Sequence, residues 1–407
     1  MSGFKIATGQ DLDAIFEDRT AIDPSGQYVP YNTSNGKSLS ERYLPYTSGT
    51  KTVTTGFRVT DASGNEQDLN NYFSPFTTPV GWSNYGYPAP LETNSSVRAI
   101  HINNGDIYTG GARGEGLRRR RNGVWTTIFD ITDTGIADQR IWAIHSDGGN
   151  DLYIGGTFKA LSLQGGTYNY IVRYDISNNT IHYLGDANTN GTDNTVRAIY
   201  ALDASRIYVG GQFGYVMGTY TPYSCVYNKL TNTWRTTTSN PIPNNNPIYA
   251  FAYYNGFLYL GGSTSELRRL NTSTNAYDTL SALGSPSGGA LIRGISVVDE
   301  NNIYIATGWG LYKWDGRASS NLYNGAYCQS IFAWDNNNVF IGGGSVTNWL
   351  AKYNGSTVTT YNNGVQDAVH AIVALSSKKI LIGGDFNSVN TGGVSVSAPG
   401  FAFNKSA

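Results

Sequence analysis

Ile207-Tyr208-Val209-Gly210-Gly211-Gln212-Phe213 is the stretch that decides the fold, because the chain writes it again and again. Leu152-Tyr153-Ile154-Gly155-Gly156-Thr157-Phe158 and Ile380-Leu381-Ile382-Gly383-Gly384-Asp385-Phe386 are near copies. Ile107-Tyr108-Thr109-Gly110-Gly111, Leu258-Tyr259-Leu260-Gly261-Gly262 and Val339-Phe340-Ile341-Gly342-Gly343 are weaker ones. A seventh, Ile303-Tyr304-Ile305-Ala306-Thr307-Gly308, has lost its first glycine. Copies at a spacing of roughly 35–55 residues belong to the periods of propellers and solenoids. Each joins β-branched and aromatic residues to terminal glycines and reads as a short buried strand with an abrupt exit.

Ahead of each copy runs another strand, such as Val97-Arg98-Ala99-Ile100-His101 or Val196-Arg197-Ala198-Ile199-Tyr200. It carries a small residue near its start: Ala99, Ala143, Ala198, Ala250, Gly294, Ser330 or Ala371. Turns such as Asn103-Asn104-Gly105-Asp106 and Asn255-Gly256 supply hairpin chemistry between the two strands. A third strand (Ile171–Asp175, Leu350–Asn354) and a fourth (Val124–Thr127, Thr233–Thr236) follow. Four antiparallel strands repeated seven times predict an all-β protein, a seven-bladed β-propeller over residues 79–407. The small residues belong where the innermost strands crowd the axis, and the glycines where a Cβ would block close approach.

The double glycine, with the later Tyr-Asn and Trp positions, resembles kelch and galactose-oxidase-like propeller repeats over roughly residues 95–407. The resemblance implies the fold and leaves function open, since such propellers host both enzymes and binding modules. It does not extend to a copper site, because no tyrosine–cysteine pair with converging histidines can be assembled around Cys225 or Cys328.

The last blade runs out of chain after Gly400-Phe401-Ala402-Phe403-Asn404, one strand short. Pro79-Val80-Gly81-Trp82-Ser83-Asn84-Tyr85 has the tryptophan-bearing character of a fourth strand. Residues 80–86 are therefore expected to pair with the C-terminal strand. Trp82, Phe401 and Phe403 would sit at the closure, which removes two open sheet edges.

Residues 1–78 lack the glycine-pair repeat but hold a duplication of their own. Gly3-Phe4-Lys5-Ile6 followed by Asp11-Leu12-Asp13-Ala14-Ile15-Phe16 returns as Gly56-Phe57-Arg58-Val59 followed by Asp68-Leu69-Asn70-Asn71-Tyr72-Phe73. Each copy reads as a short strand and a one- or two-turn helix capped by Asp11 or Asp68. Phe4, Leu12, Phe16, Phe57, Leu69 and Phe73 are the expected assembly contacts, because so small a unit buries too little apolar area alone. The pattern resembles a short motif of virion structural proteins of tailed phages and large algal DNA viruses, where it often precedes a variable exposed domain. The second copy departs from it by an insertion before Gly64 and by Tyr72 in place of isoleucine.

Among 407 residues only 14% are charged and the net charge is −1, which shows no nucleic-acid footprint. No apolar run reaches the about 18 residues of a membrane span, so membrane insertion is not expected. Met1–Ile6 leads into Asp11 and Asp13 without an apolar core, so no secretory signal is expected. Cys225 and Cys328 fall in different repeats, which argues for synthesis in a reducing cytoplasm without a disulfide framework.

The residue preceding the small one on each first strand is Arg98, Trp142, Arg197, Tyr249, Arg293, Gln329 or His370. Symmetry should gather these seven at one level of the axis, either to hold an oxyanion or a sugar or to plug the channel. His101, His145 and His370 lie on first strands and His182 on a fourth. Their offsets argue against a three-histidine metal site, and no metal or other cofactor is expected. Arg118-Arg119-Arg120-Arg121 is the one dense charge run, with Arg120 at the place of Arg173, Arg269, Lys313 and Lys352. It reads as a solvated or blade-bridging face. Asp147–Asp151 and Asp299–Asn302 read as turns, without the ligand spacing of a calcium loop.

No nucleophile elbow, P-loop, zinc-protease helix or dinucleotide fingerprint is present. The expectation is a non-enzymatic viral structural protein, made in a cytoplasm and assembled into a virion. Its arm would dock with other virion proteins in a capsid or tail, and its propeller would be displayed to a host-surface glycan or receptor, either alone or as a homo-oligomer. The alternatives are a cytoplasmic kelch-like module that binds protein or glycan and, with less support, an enzyme working at the channel mouth.

Overall fold

The computed structural model describes residues 5–6, 58–60, 66–68, 81–88, 96–132, 135–136, 138–163, 165–237, 246–283, 291–344, 346–361, 365–391 and 394–405. The chain divides into two compact units, Met1–Thr78 and Pro79–Ala407.

In the first unit, Lys5–Ile6, Arg58–Thr60 and Glu66–Asp68 form a three-stranded antiparallel sheet with Arg58–Thr60 in the middle. Lys5 lies opposite Thr60 and Ile6 opposite Val59, so the two copies of the duplicated motif pair with each other. Asp68 ends the third strand, in register with Arg58, and the helices that Asp11 and Asp68 were expected to cap lie outside the described residues. The expected contacts Phe4, Leu12, Phe16, Phe57, Leu69 and Phe73 lie outside the described residues.

The second unit contains seven four-stranded antiparallel sheets, the blades of a propeller. Blade one is Val97–Asn103, Asp106–Gly111, Leu117–Arg121 and Val124–Phe129. The first strands of blades two to six are Arg140–His145, Val196–Asp203, Ile248–Tyr254, Ile292–Asp299 and Cys328–Asp335. Blade seven is Val369–Ser376, Lys379–Gly384, Phe401–Lys405 and then Gly81–Ser83, with Trp82 opposite Asn404. The ring is thus closed by strands from the two ends of this unit. The described residues hold no α-helix, only a 3₁₀ turn at Thr347–Trp349.

The glycine pair works differently from an abrupt exit. Both glycines lie inside strand two, paired across to strand one. A Cβ on the first would fall 2.4 Å from Ile141 at Gly110, 2.4 Å from Val196 at Gly155 and 2.5 Å from Val97 at Gly383. The first glycine is therefore a socket, and the knob is the β-branched residue that opens the next blade. The second glycine lets the backbone leading into its own blade pass close by. A Cβ at Gly211 would meet Thr195 O at 2.2 Å. In blade five the socket is filled by Ala306, and the knob of blade six shrinks to Cys328, both buried in one cluster.

The arginine run clamps the closure. Arg118 is buried against Glu115 at 3.2 Å, lies 5.0 Å from the Tyr87 ring and donates to Pro88 O at 3.1 Å. Arg120 lies 3.6 Å over the Tyr85 ring. Tyr85 stacks on Phe403 and Tyr87 on Phe401, so blade one holds the N-terminal ribbon against the last strand. One register assignment needs correction. Arg119, not Arg120, lies opposite the strand-two aromatic, as Arg173, Arg269, Lys313 and Lys352 do in their blades. The Asn122-Gly123 turn has two residues, with φ of 50° and 86°. Counting back from that glycine as though the turn were longer slips the register by one.

Candidate functional site

Each first strand carries a β-bulge near its start. In blade one Val97 pairs with Gly111 and Ala99 with Gly110, which leaves Arg98 as the extra residue. The same shift singles out Trp142, Arg197, Tyr249, Arg293, Gln329 and His370. A bulge re-aims the side chain it carries. All seven line one axial cavity of about 320 Å³, joined by Gln212.

In blades two, three and seven the residue after the glycine pair orients the ring member of the same blade. Trp142 Nε1 donates to Thr157 Oγ1 at 3.0 Å, and Arg197 donates to Gln212 Oε1 at 3.3 Å. His370 Nε2 lies 2.7 Å from Asp385 Oδ2, and Arg98 of the next blade donates to Asp385 Oδ1 at 3.0 Å. Burial alone would raise the Asp385 carboxyl, but its bond with His370 and the Arg98 charge outweigh that and hold it at about 2. Burial lowers His370 and pulls Arg98 down to about 10, against the attraction of Asp385.

Trp142 is sandwiched, with Arg197 3.9 Å from its ring, Arg98 at 5.5 Å and Arg140 at 5.4 Å. Arg293 lies 4.8 Å over the Tyr327 ring, and its buried Nε has no hydrogen-bond partner. Thr157, Gln212 and Asp385 escaped sequence reasoning as site residues. Their fixed place after the glycine pair was the signal that could have found them.

The other candidates do not join this cavity. The His101 and His145 rings pack at a tilt of 39° with centroids 5.1 Å apart, further along the first strands, and Tyr200 packs at a similar tilt 4.4 Å from His145. His101 Nε2 meets Ser146 Oγ at 2.9 Å, and His145 Nδ1 accepts Ala201 N–H at 3.2 Å. Burial drives His101 down to about 4, and burial with the neighbouring His101 drives His145 to about 3. His182 contacts Thr180 Oγ1 at 3.1 Å. Asp147 and Asp299 accept the N–H of Gly149 and Asn301 two residues on, as turn residues do. Among the described residues no three His, Cys, Asp or Glu side chains converge as metal ligands.

Antiparallel order puts the start of strand one, the end of strand two and the start of strand three on one face of the disc. That is the face of the ring, and the long connections open on it. Two carry inserted hairpins, Tyr215–Val216 with Thr219–Tyr220 in blade three and Ser388–Thr391 with Val394–Ser397 in blade seven. A second pocket of about 450 Å³ lies beside the first hairpin, between Lys159, Tyr170, Asn190, Asp193 and Tyr215. The opposite face is built from short turns such as Asn104-Gly105 and Asn255-Gly256.

No protein-family model matches the chain, and no curated protein matches it in sequence. Solved structures share its propeller architecture. The extracellular domain of a hybrid two-component system from B. thetaiotaomicron is 16% identical, with a TM-score of 0.56 over 80% of this chain and 40% of that one. The extracellular domain of a second such system is 15% identical, with a TM-score of 0.55 over 81% and 42%. The U3-55K protein is 10% identical, with a TM-score of 0.54 over 78% and 98%. The chain thus spans about two fifths of the first two, and at these identities the likeness is one of fold.

Proposed function

We propose that this chain is a non-enzymatic binding protein of a virion, with residues 1–78 as its anchor and the propeller as its displayed head. The asymmetry of the disc carries the binding half of this reading. One face gathers seven bulge-aimed side chains, two inserted hairpins and the exposed aromatics Tyr215, Tyr220 and Trp309. The other is mostly short turns, Trp334 being its exposed aromatic. Aromatic rings beside Asn, Thr and Lys side chains suit glycan stacking and hydrogen bonding. That two structural neighbours are extracellular domains agrees with a head that meets ligands outside the cell.

The anchoring half rests on the duplicated arm motif and its resemblance to virion structural proteins. The two copies pair strand to strand, which makes the arm a unit of its own.

Deletion of residues 1–78 tests both halves together. The truncated propeller should fold and bind host cells, yet be absent from purified particles. Normal incorporation of the truncated chain would refute the anchor. Loss of cell binding by a folded propeller whose Tyr215 and Tyr220 are intact would refute the head.

A further inference from the structure

The ring is electrostatically lopsided. On the side of blades seven and one, His370 and Arg98 share the Asp385 carboxylate. On the side of blades three to five stand Arg197, Tyr249 and Arg293. Arg197 donates to the neutral amide oxygen of Gln212 and lies over the Trp142 ring, and burial first, then the nearby Arg293 charge, disfavour its charged form. Among the described residues neither arginine is ion-paired, and the buried Nε of Arg293 has no acceptor.

The sequence shows why. The orienting place after the glycine pair holds Asp385 in blade seven and Gln212 in blade three, but Gly308 in blade five. Two guanidiniums therefore face a cavity of about 320 Å³ with no carboxylate between them. Like charges held together in a partly desolvated site are stabilised by an anion that bridges them, and guanidinium is the side chain suited to planar or tetrahedral oxyanions.

We propose that the Arg197–Tyr249–Arg293 arc of the axial cavity binds the oxyanion group of a small acidic ligand, with the Tyr249 hydroxyl available between the two guanidiniums. The inference rests on the ring face being the binding face. If the head recognises glycans, the group is the carboxylate or sulfate of an acidic sugar. The same chemistry admits a free inorganic oxyanion.

Calorimetric titration of the whole chain with glucuronate, N-acetylneuraminate, sulfate, phosphate and neutral glucose tests it. Acidic probes should bind saturably and glucose should not. A sugar acid that binds more tightly than sulfate and phosphate identifies a sugar ligand, and the reverse order identifies a free ion. Arg293→Gln should weaken binding about tenfold or more. Gly308→Asp should do the same by installing the missing carboxylate. A Cβ there meets nothing nearer than the Tyr327 ring at 3.7 Å, so the fold and its melting temperature should survive. Absence of saturable binding by any acidic probe, or equal binding by wild type and both variants, overturns the proposal. A chain that captures host cells or neutral glycans through this face but ignores every acidic probe would overturn this inference and leave the binding head standing.

Discussion

At Gly155 a Cβ would lie 2.4 Å from Val196 Cγ1 and 2.9 Å from Ile199 Cδ1, both side chains of the next blade. Neither can retreat, because Val196 is fully buried and Ile199 nearly so. Gly155→Ala should therefore cost about 1–3 kcal/mol as overpacking, read as a lower denaturant midpoint with an unchanged slope. Blade five makes the argument sharper, since Ala306 already stands in the socket opposite the smaller Cys328. Cys328→Val should destabilise the chain, and Ala306→Gly in the same molecule should recover much of the loss. This complementarity was half legible in the sequence. The glycines announced a close approach, but which side chain approaches depends on a neighbour some 40 residues away, a spacing typical of such repeats.

Among the elements, the ribbon at Gly81–Ser83 bears most on integrity, because its pairing with Phe401–Lys405 is what completes the seventh blade. Its grip is reinforced by Arg118, whose ion pair with Glu115 is almost wholly buried, with side chains 2% and 1% exposed. Tyr87 Oη donates to the same carboxylate at 2.8 Å. Removing one member of a buried pair strands the other's charge. Arg118→Met should therefore cost about 3–5 kcal/mol, while Arg118→Met with Glu115→Gln should cost less than the single change. Thermal melts of the single and double variants check this. At this scale the strand count showed that a fourth strand was missing, and the tryptophan showed where to look for it. The bulges were not legible. A bulge is a statement about which glycine of the neighbouring strand opposes which residue, and a single strand read alone does not contain it. The ring's membership could thus be read from the repeats, while its aim, its orienting partners and its uneven charge could not. The same limit produced the slipped arginine register, where a two-residue turn stood in place of a longer one.

At the scale of the whole propeller, the question is what the two ends of the Pro79–Ala407 unit do for the disc. Core clusters run from blade to blade, and the cluster around Tyr87, Val97, Leu381, Phe401 and Phe403 spans the join between blades seven and one. Its members come from the ribbon, the first strand of blade one and the last blade, so the ribbon is core material and not a tail. Two truncations separate the consequences. A chain of residues 79–407 keeps every described strand of the second unit and should melt cooperatively, close to the full-length protein. A chain of residues 96–407 loses Trp82, which is 2% exposed, and Tyr87, which is 4% exposed. It also leaves Phe401–Lys405 with an unpaired edge. Loss of a buried tryptophan alone costs about 3–5 kcal/mol, and a naked edge beside a hydrophobic join invites pairing with another copy. The shorter chain should therefore melt well below the longer one and elute from size exclusion as dimers or larger species. A synthetic peptide of residues 79–88, added in excess, should restore the monomer by supplying the missing strand in trans. A 96–407 chain that stays monomeric with an unchanged melting temperature would mean that six complete blades and three strands of the seventh hold the disc shut unaided.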